Sequence, residues 1–283
     1  MTQSPFNPLW LDTLQAGVNR PPLRPRQELL LNGQRIGSVE PDCFKQIVPG
    51  SRSLRMKTFA LELGANASWR ITGEGTEALA YIAEVCRAES IGCVPEQWRD
   101  ELLDVFNPES RRVALVERGV ARLLGIATRA MHLVGTTPGG QVWVQQRSFD
   151  KAIDPGLWDT LVGGMVPASD NLTSALVRET WEEAGIKLDQ VQQLHAGGRF
   201  LVQQPNARDG GIGYVVEQID WFVGVIPDGI TPVNQDGEVA QFALLQPLEL
   251  KLQLESNAFT LDASLILSQA NTLSHHCNSG CAQ

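Results

Sequence analysis

No stretch of this 283-residue sequence approaches the roughly 18 uninterrupted apolar residues of a membrane-spanning helix, and Met1-Thr2-Gln3-Ser4-Pro5 lacks a basic segment followed by an apolar core. The expectation is a cytoplasmic protein with no membrane partner. Cysteine is scarce and odd in number: Cys43, Cys86, Cys93, Cys277 and Cys281 are scattered, which does not describe a disulfide framework and reads as reduced, mostly structural thiols. There is no Lys/Arg run and no alternation of aromatic and basic residues, and the net charge is −9, so a nucleic-acid partner is not expected. Internal repeats are absent as well.

What is present is an ordinary globular composition, 43% hydrophobic and 19% charged, over a length that suggests two domains. Residues 1–25, with Pro21, Pro22 and Pro25 close together, read as an extended lead-in. Glu28-Leu29-Leu30-Leu31, Asn32-Gly33 and Arg35-Ile36-Gly37-Ser38-Val39 have the form of a hairpin whose turn needs positive φ. Thr58–Leu63 alternates like a strand, and Thr76 is expected to cap a helix in which Leu79, Ile82, Ala83 and Cys86 recur at helical spacing. These elements predict a small α+β domain over 26–125. A second domain over 126–272 is predicted from strand-like runs at Met131–Gly135 and Gln141–Gln146, separated by Thr137-Pro138-Gly139-Gly140. Further runs at Arg199–Gln203, Tyr214–Val225 and Phe242–Leu245 and a last helix around Leu261–Gln269 complete it. Residues 273–283 read as a flexible tail.

The chemistry-bearing segment lies between these strands. Gly164 through Asp170 leads into Asn171–Val177 and then Arg178-Glu179-Thr180-Trp181-Glu182-Glu183-Ala184-Gly185-Ile186. On a helix, Glu179, Glu182 and Glu183 fall at i, i+3 and i+4, so three carboxylates share one face within about one turn. Like charges that close repel unless a cation joins them. Oxygen-only donors favour Mg2+ or Mn2+ over Zn2+. The opposite face, Val177, Thr180, Trp181 and Ala184, suits burial on a sheet. Taken alone, the triplet reads equally as a solvated acidic face with Glu182 paired to Arg178. Asp170 could cap the helix together with Ser169.

This segment resembles the Nudix box, which runs Gly, five residues, Glu, seven residues, Arg-Glu-apolar-any-Glu-Glu-any-Gly-apolar. The spacing is kept throughout; Asp170 stands where the family has Glu, and Thr180 stands at an apolar position. The resemblance implies an α/β/α sandwich carrying the box as loop, helix and loop, preceded here by the small α+β domain, and a hydrolase that cleaves a pyrophosphate bond with Mg2+ or Mn2+. It implies Glu179, Glu182, Glu183 and the Gly163 carbonyl as metal ligands and Arg178 as the residue that orients the glutamates. Glu238, in Asp236-Gly237-Glu238, is the leading candidate for general base or further ligand, and Glu217 the second; each reads equally as a plain acid.

A looser match extends along the chain: Trp98-Arg99-Asp100-Glu101, Glu117-Arg118 through Gly125-Ile126, His132-Leu133, Arg147-Ser148, Lys151, Pro155-Gly156 and Trp158 through Gly164. These residues are similar to Nudix proteins related to the domain fused to yeast-type thiamin pyrophosphokinase, with Trp158-Asp159-Thr160 in place of the more usual Leu-Asp-Asn. The implied substrate is thiamin diphosphate or a damaged analogue, trimmed to the monophosphate. ADP-ribose or a nucleotide sugar is the alternative substrate, and a non-catalytic ligand-sensing domain the alternative class. Retention of all three glutamates argues against the sensor, and the full box argues against the isoprenoid-diphosphate isomerase branch.

Arg147 and Lys151 are candidate phosphate clamps or solvated loop charges. Trp158 either stacks on the substrate or packs in the core. His132 reads as a packed residue before a catalyst, and His275-His276-Cys277 with Cys281 as a frayed tail before a metal site. Residues 26–125 are expected to wall the substrate pocket or to form a homodimer contact.

Overall fold

The computed structural model describes residues 5–48, 53–64, 66–91 and 98–278, with side chains described as far as 270. Cys93, Cys281 and the side chains of His275, His276 and Cys277 lie outside the described residues.

The chain opens with α1 (Pro8–Val18), where an extended lead-in was expected. Pro8 occupies the first helical turn, where its missing N–H costs nothing, and the Asn7 side chain accepts from the Leu9 N–H. Trp10 and Leu14, one turn apart, are buried with Phe6 on the second domain's core. The cluster Pro21, Pro22 and Pro25 follows the helix rather than defining the segment.

Strands β1 (Gln27–Leu31) and β2 (Gln34–Val39) form the predicted hairpin, with Asn32 at φ 49° and Gly33 at φ 84°. That turn relies on residues tolerant of left-handed backbone. After α2 (Pro41–Ile47) come β3 (Ser53–Arg55), β4 (Phe59–Leu63) and β5 (Trp69–Gly73), and the five strands order as β2-β1-β5-β4-β3. Helix α3 (Gly75–Glu89) buries Leu79, Ile82, Ala83 and Cys86, the spacing read in the sequence, although its N-cap is Glu74. A separate hairpin, β6 (Leu102–Phe106) and β7 (Arg112–Glu117), leads through α4 (Arg118–Ala121) to the second domain. Cys43 and Cys86 are thiols buried in this first core.

The second domain is built on β8 (Thr128–Thr136), β9 (Val142–Arg147), β10 (Trp158–Asp159), β11 (Val162–Met165), α5 (Leu172–Ala184), β12 (Gln192–Pro205), β13 (Tyr214–Val225), β14 (Val239–Leu245), α6 (Pro247–Glu255) and α7 (Leu261–Asn278). β13 runs parallel to β8 and antiparallel to β12; β9 pairs antiparallel with β8, β10 and β14. β11 pairs with β8 along Ala130–Leu133, so the Gly163-Gly164 turn sits directly on that strand.

One sheet face packs against α5 through Met131, Leu133, Leu161, Ala175 and Leu176, the other against α1, α6 and α7 through Val134, Ile219, Trp221, Leu250 and Ile266. The result is the expected α/β/α sandwich. Alternation along β8 then sets the site: Met131 and Leu133 face the box helix, whereas Thr128, Ala130 and His132 face the opposite side.

The two domains are joined by backbone and by one buried guanidinium. Leu124 accepts from the Ser38 N–H, and Arg122 accepts from the Tyr214 N–H, both at 2.8 Å. Arg26 donates to the carbonyls of Ser38, Leu123 and Ile212, and burial pulls its pKa down to about 10. Among the described residues, no helix is long and apolar enough to cross a membrane.

The packing of α1 gives a direct test. Trp10→Ala is expected to cost about 3 kcal/mol through the cavity it leaves, read as a lowered urea midpoint for the whole chain. An unchanged midpoint would mean that α1 does not contribute to the core.

Candidate active site

The box helix starts where the sequence changes from turn to helix formers. Asn171 is its N-cap, accepting from the N–H groups of Thr173 and Ser174, with Ser174 closing a capping box. That corrects the expectation of Asp170 and Ser169 as the cap. Asp170 is thereby released for another partner: its Oδ2 accepts from Arg178 Nε at 2.9 Å, so the shorter acid does reach the arginine. The helix ends on Gly185, left-handed at φ 63°, with its N–H bonded to Trp181.

Arg178 is the hub. Besides Asp170, its Nη1 lies 3.0 Å from Glu179 and 2.8 Å from Glu182. Burial would lower its pKa, but Asp170, Glu179 and Glu182 outweigh it and hold the guanidinium firmly charged. Glu179 lies against the β11 backbone, where a Cβ on Gly164 would stand 2.3 Å from its Oε1. Burial pushes Glu179 up to about 7; Arg178 opposes this, while Glu182 and Glu238 add to it.

Glu183 is almost wholly buried. Its Oε2 accepts from the Gly163 N–H at 2.8 Å and from Gln145 Nε2 at 2.9 Å, and its Oε1 faces Lys151 at 3.5 Å. It therefore ties the Gly-Gly turn to the helix from behind rather than lining the cavity. Burial pushes it up to about 8 despite Lys151. Lys151 also binds Glu238 Oε2 at 2.5 Å, and this contact holds Glu238 below the usual carboxylate range against the opposing effect of burial.

These groups line a cavity of about 410 Å3. Gly163, Gly164, Glu179, Glu182 and Glu238 line it together with His132, Asp159, Glu217, Thr260 and Asp262, and His132 stands against Gly163 on the neighbouring strand. His132 is buried, with Nδ1 2.9 Å from Thr160 Oγ1, and burial lowers its pKa. Glu217 accepts from Thr128 Oγ1 at 3.0 Å. Asp262 is pushed up to about 8 by burial and then by Glu217 and Asp159.

Two expected binding residues are placed differently from the sequence reading. Trp158 does not line the cavity; it precedes Asp159 on β10, and alternation turns it onto the core formed with α7 while Asp159 faces the cavity. Arg147 does line the cavity, but its guanidinium is engaged, donating twice to the Ile153 carbonyl and once to Asp159. It fixes the loop that presents Lys151. Asp262 and Thr260 had no local sequence signal, because only packing of the start of α7 brings them to the cavity.

The model of the NUDIX domain matches residues 127–265, and that of a domain of unknown function, DUF4743, matches residues 16–128. The uncharacterised Nudix hydrolase YfcD of Escherichia coli K12 is 34% identical over 163 residues, covering 58% of this chain and 82% of YfcD. The chain belongs to the Nudix hydrolase family. Nudix hydrolase 24, chloroplastic, of Arabidopsis thaliana is 29% identical over 204 residues, 69% of this chain and 53% of the relative. An uncharacterised Nudix hydrolase of Pseudomonas aeruginosa, PA4841, is 33% identical over 108 residues, 38% of this chain. The chain thus spans 62% of the Pseudomonas relative and 53% of the Arabidopsis one. The crystal structure of DR0079 from Deinococcus radiodurans aligns with a TM-score of 0.46 at 20% identity, over 59% of this chain and 97% of that one.

Members of this family generally use a divalent metal. Among the described residues no three His, Cys, Asp or Glu side chains form a ready cage; Arg178 and Lys151 stand between the carboxylates instead. The donors nonetheless fit a hard cation. They are all oxygens, and burial with neighbouring acids leaves the charge on Glu179 under-compensated.

Gly164→Ala is expected to displace Glu179 and to weaken Mn2+ binding about tenfold or more, measured by titration of the folded protein; unchanged affinity would remove Glu179 from the metal site. Asp262 keeps its proton in the folded chain between its ordinary value of 3.8 and about 8, whereas the unfolded chain has lost it. Its contribution to stability therefore falls as pH rises through that window. Asp262→Asn should raise the urea midpoint at pH 8 and leave it unchanged near pH 3.5; the same difference at both values would contradict the assignment.

Proposed function

We propose that this Nudix protein is a divalent-metal-dependent pyrophosphohydrolase that cleaves a small organic diphosphate to the monophosphate, with thiamin diphosphate or its damaged analogues as favoured substrates. The observation that carries this reading is a cavity in which Arg178, locked by Asp170, holds both Glu182 and Glu179, the latter against Gly164, with Glu238 in the same lining.

Arg178 holds two carboxylates in place without letting them drift to solvent. Glu183 fixes the Gly163 peptide, so the backbone carbonyl there is presented at a set position. Glu179, Glu182 and Glu238, with that carbonyl, are the residues that would hold Mg2+ or Mn2+, and Glu183, implied as a ligand by the box, acts from behind by positioning that peptide. When bound, the metal would supply neutralisation of the diphosphate oxygens and a water acidic enough to attack phosphorus. Glu238 is placed to serve as a further ligand or to take the proton from that water once its pairing with Lys151 opens.

Support for a thiamin-type ligand comes from the acids that line the same cavity. Asp159, Glu217 and Asp262 crowd there closely enough that Asp262 holds its proton, and a cationic or N–H-rich heterocycle relieves that crowding better than a sugar.

The test is release of monophosphate with Mg2+ from thiamin diphosphate, its oxidised analogues, ADP-ribose, nucleotide sugars and nucleoside triphosphates. Selective hydrolysis of the thiamin compounds is expected. Activity only on nucleotides would overturn the substrate, and silence of the folded protein across the panel would overturn the hydrolase reading. Glu182→Gln is expected to lower turnover about a hundredfold or more with the fold intact, because a neutral amide is a far weaker ligand for a hard cation.

A further inference from the structure

A diphosphate brought to this cavity meets walls that the Nudix fold makes largely acidic. The three Nudix-domain cations nearest the box glutamates are already committed. Arg178 holds Asp170, Glu179 and Glu182; Arg147 holds Asp159 and the Ile153 carbonyl; Lys151 holds Glu183 and Glu238. A phosphate needs cations with N–H groups left over from their protein partners. Arg208 is one such residue on the Nudix side of the cavity.

The others come from outside the Nudix fold. Arg99, Arg118 and Arg122, flanking the β6–β7 hairpin and α4, face the same cavity as Glu179, Glu182 and Glu238. Arg118 gives one arm to Glu101, Nη1 to Oε2 at 2.7 Å; Arg99 and Arg122 form no ion pair among the described residues. Arg99 and Arg118 are close enough to Glu238 for their charges to act on it.

Exposed arginines are ordinarily just solvated. Here the segment that carries them is fixed in position. The Leu102 carbonyl accepts from the Ala168 N–H at 2.8 Å, in the loop that enters the box helix, and the Arg122 carbonyl accepts from Tyr214 at 2.8 Å on β13. Both ends of the hairpin and helix are therefore bonded to the elements that form the cavity.

We infer that the N-terminal domain completes the active site: Arg99 and Arg118 bind the terminal phosphoryl group of the diphosphate, in the cavity they share with Glu182 and Glu238. This rests on the proposed diphosphate site and adds the residues that recognise the end of the ligand. Planar guanidinium groups suit the bidentate contact that a terminal phosphoryl group offers.

The experiment is calorimetric titration of the full chain with methylenediphosphonate, a non-hydrolysable diphosphate, in excess Mg2+, beside a separate Mn2+ titration without diphosphonate. Arg99→Ala and Arg118→Gln are each expected to weaken diphosphonate binding about tenfold or more, with Arg99→Lys recovering part of the loss and Mn2+ affinity unchanged in all three. Arg99 is exposed and forms no ion pair among the described residues, so its variants should melt like the parent. Unchanged diphosphonate affinity in both the Ala and Gln variants would overturn the inference, as would an equal loss of Mn2+ affinity or no binding by the parent. If the parent hydrolyses nothing in the panel yet the arginine variants lose diphosphonate affinity, the phosphate wall stands and the hydrolase reading falls. Hydrolysis with unchanged affinity in the variants gives the reverse.

Discussion

The guanidinium of Arg178 is the contact on which the site depends. Asp170, Glu179 and Glu182 all converge on it, so the loop before the box helix and one turn of the helix are held in one relation by a single planar cation. Without it, three carboxylates on one helical face would repel one another and turn outward. With it, Glu179 stays against the Gly164 backbone although burial works against its charge. The same logic recurs one turn on, where Lys151 stands between Glu183 and Glu238 and so connects the box to the loop before β14. Positive side chains thus compensate the acids in an arrangement that a hard cation could take over.

The site is also a product of two domains. The sheet of β8 and β13 presents Thr128, His132 and Glu217, α5 presents Glu179 and Glu182 beside the β11 glycines, and the residues that flank the β6–β7 hairpin, Arg99, Glu101 and α4, line the same cavity. Rigid joining requires more than the linker. Arg26 donates to carbonyls on both sides of the boundary, and burial makes that guanidinium costly unless every partner is satisfied. Phosphate recognition by Arg99 and Arg118 would be meaningless across a hinge, so this rigidity and the proposed role of the N-terminal domain belong together.

Several local features were legible before folding is considered. The Asn32-Gly33 hairpin, the α3 spacing of Leu79, Ile82 and Cys86, the span of β13 and the box helix with its Gly185 stop all express short-range rules: positive φ, helical period or alternation. α1 was hidden because the nearby prolines dominate the composition of residues 1–25, while the burial that stabilises the helix lies on the distant second core. Trp158 could not be assigned to core or cavity from sequence, since the face of a two-residue strand depends on its register with β9. Asp170 was ambiguous for a similar reason: a cap and an arginine partner use the same side chain, and only the position of Asn171 resolves which.

By itself, then, the sequence determined the identity and spacing of the box and the helix that carries it. Those depend on interactions within about a dozen residues of chain. Tertiary structure alone decided that Glu183 faces backbone and Lys151 rather than the cavity, that Arg147 is spent on its own loop, and that Asp262, Arg99 and Arg118 line one cavity with Glu179 and Glu182. These are contacts between segments far apart in the chain, fixed by how two sheets pack and pair, and no local spacing encodes them.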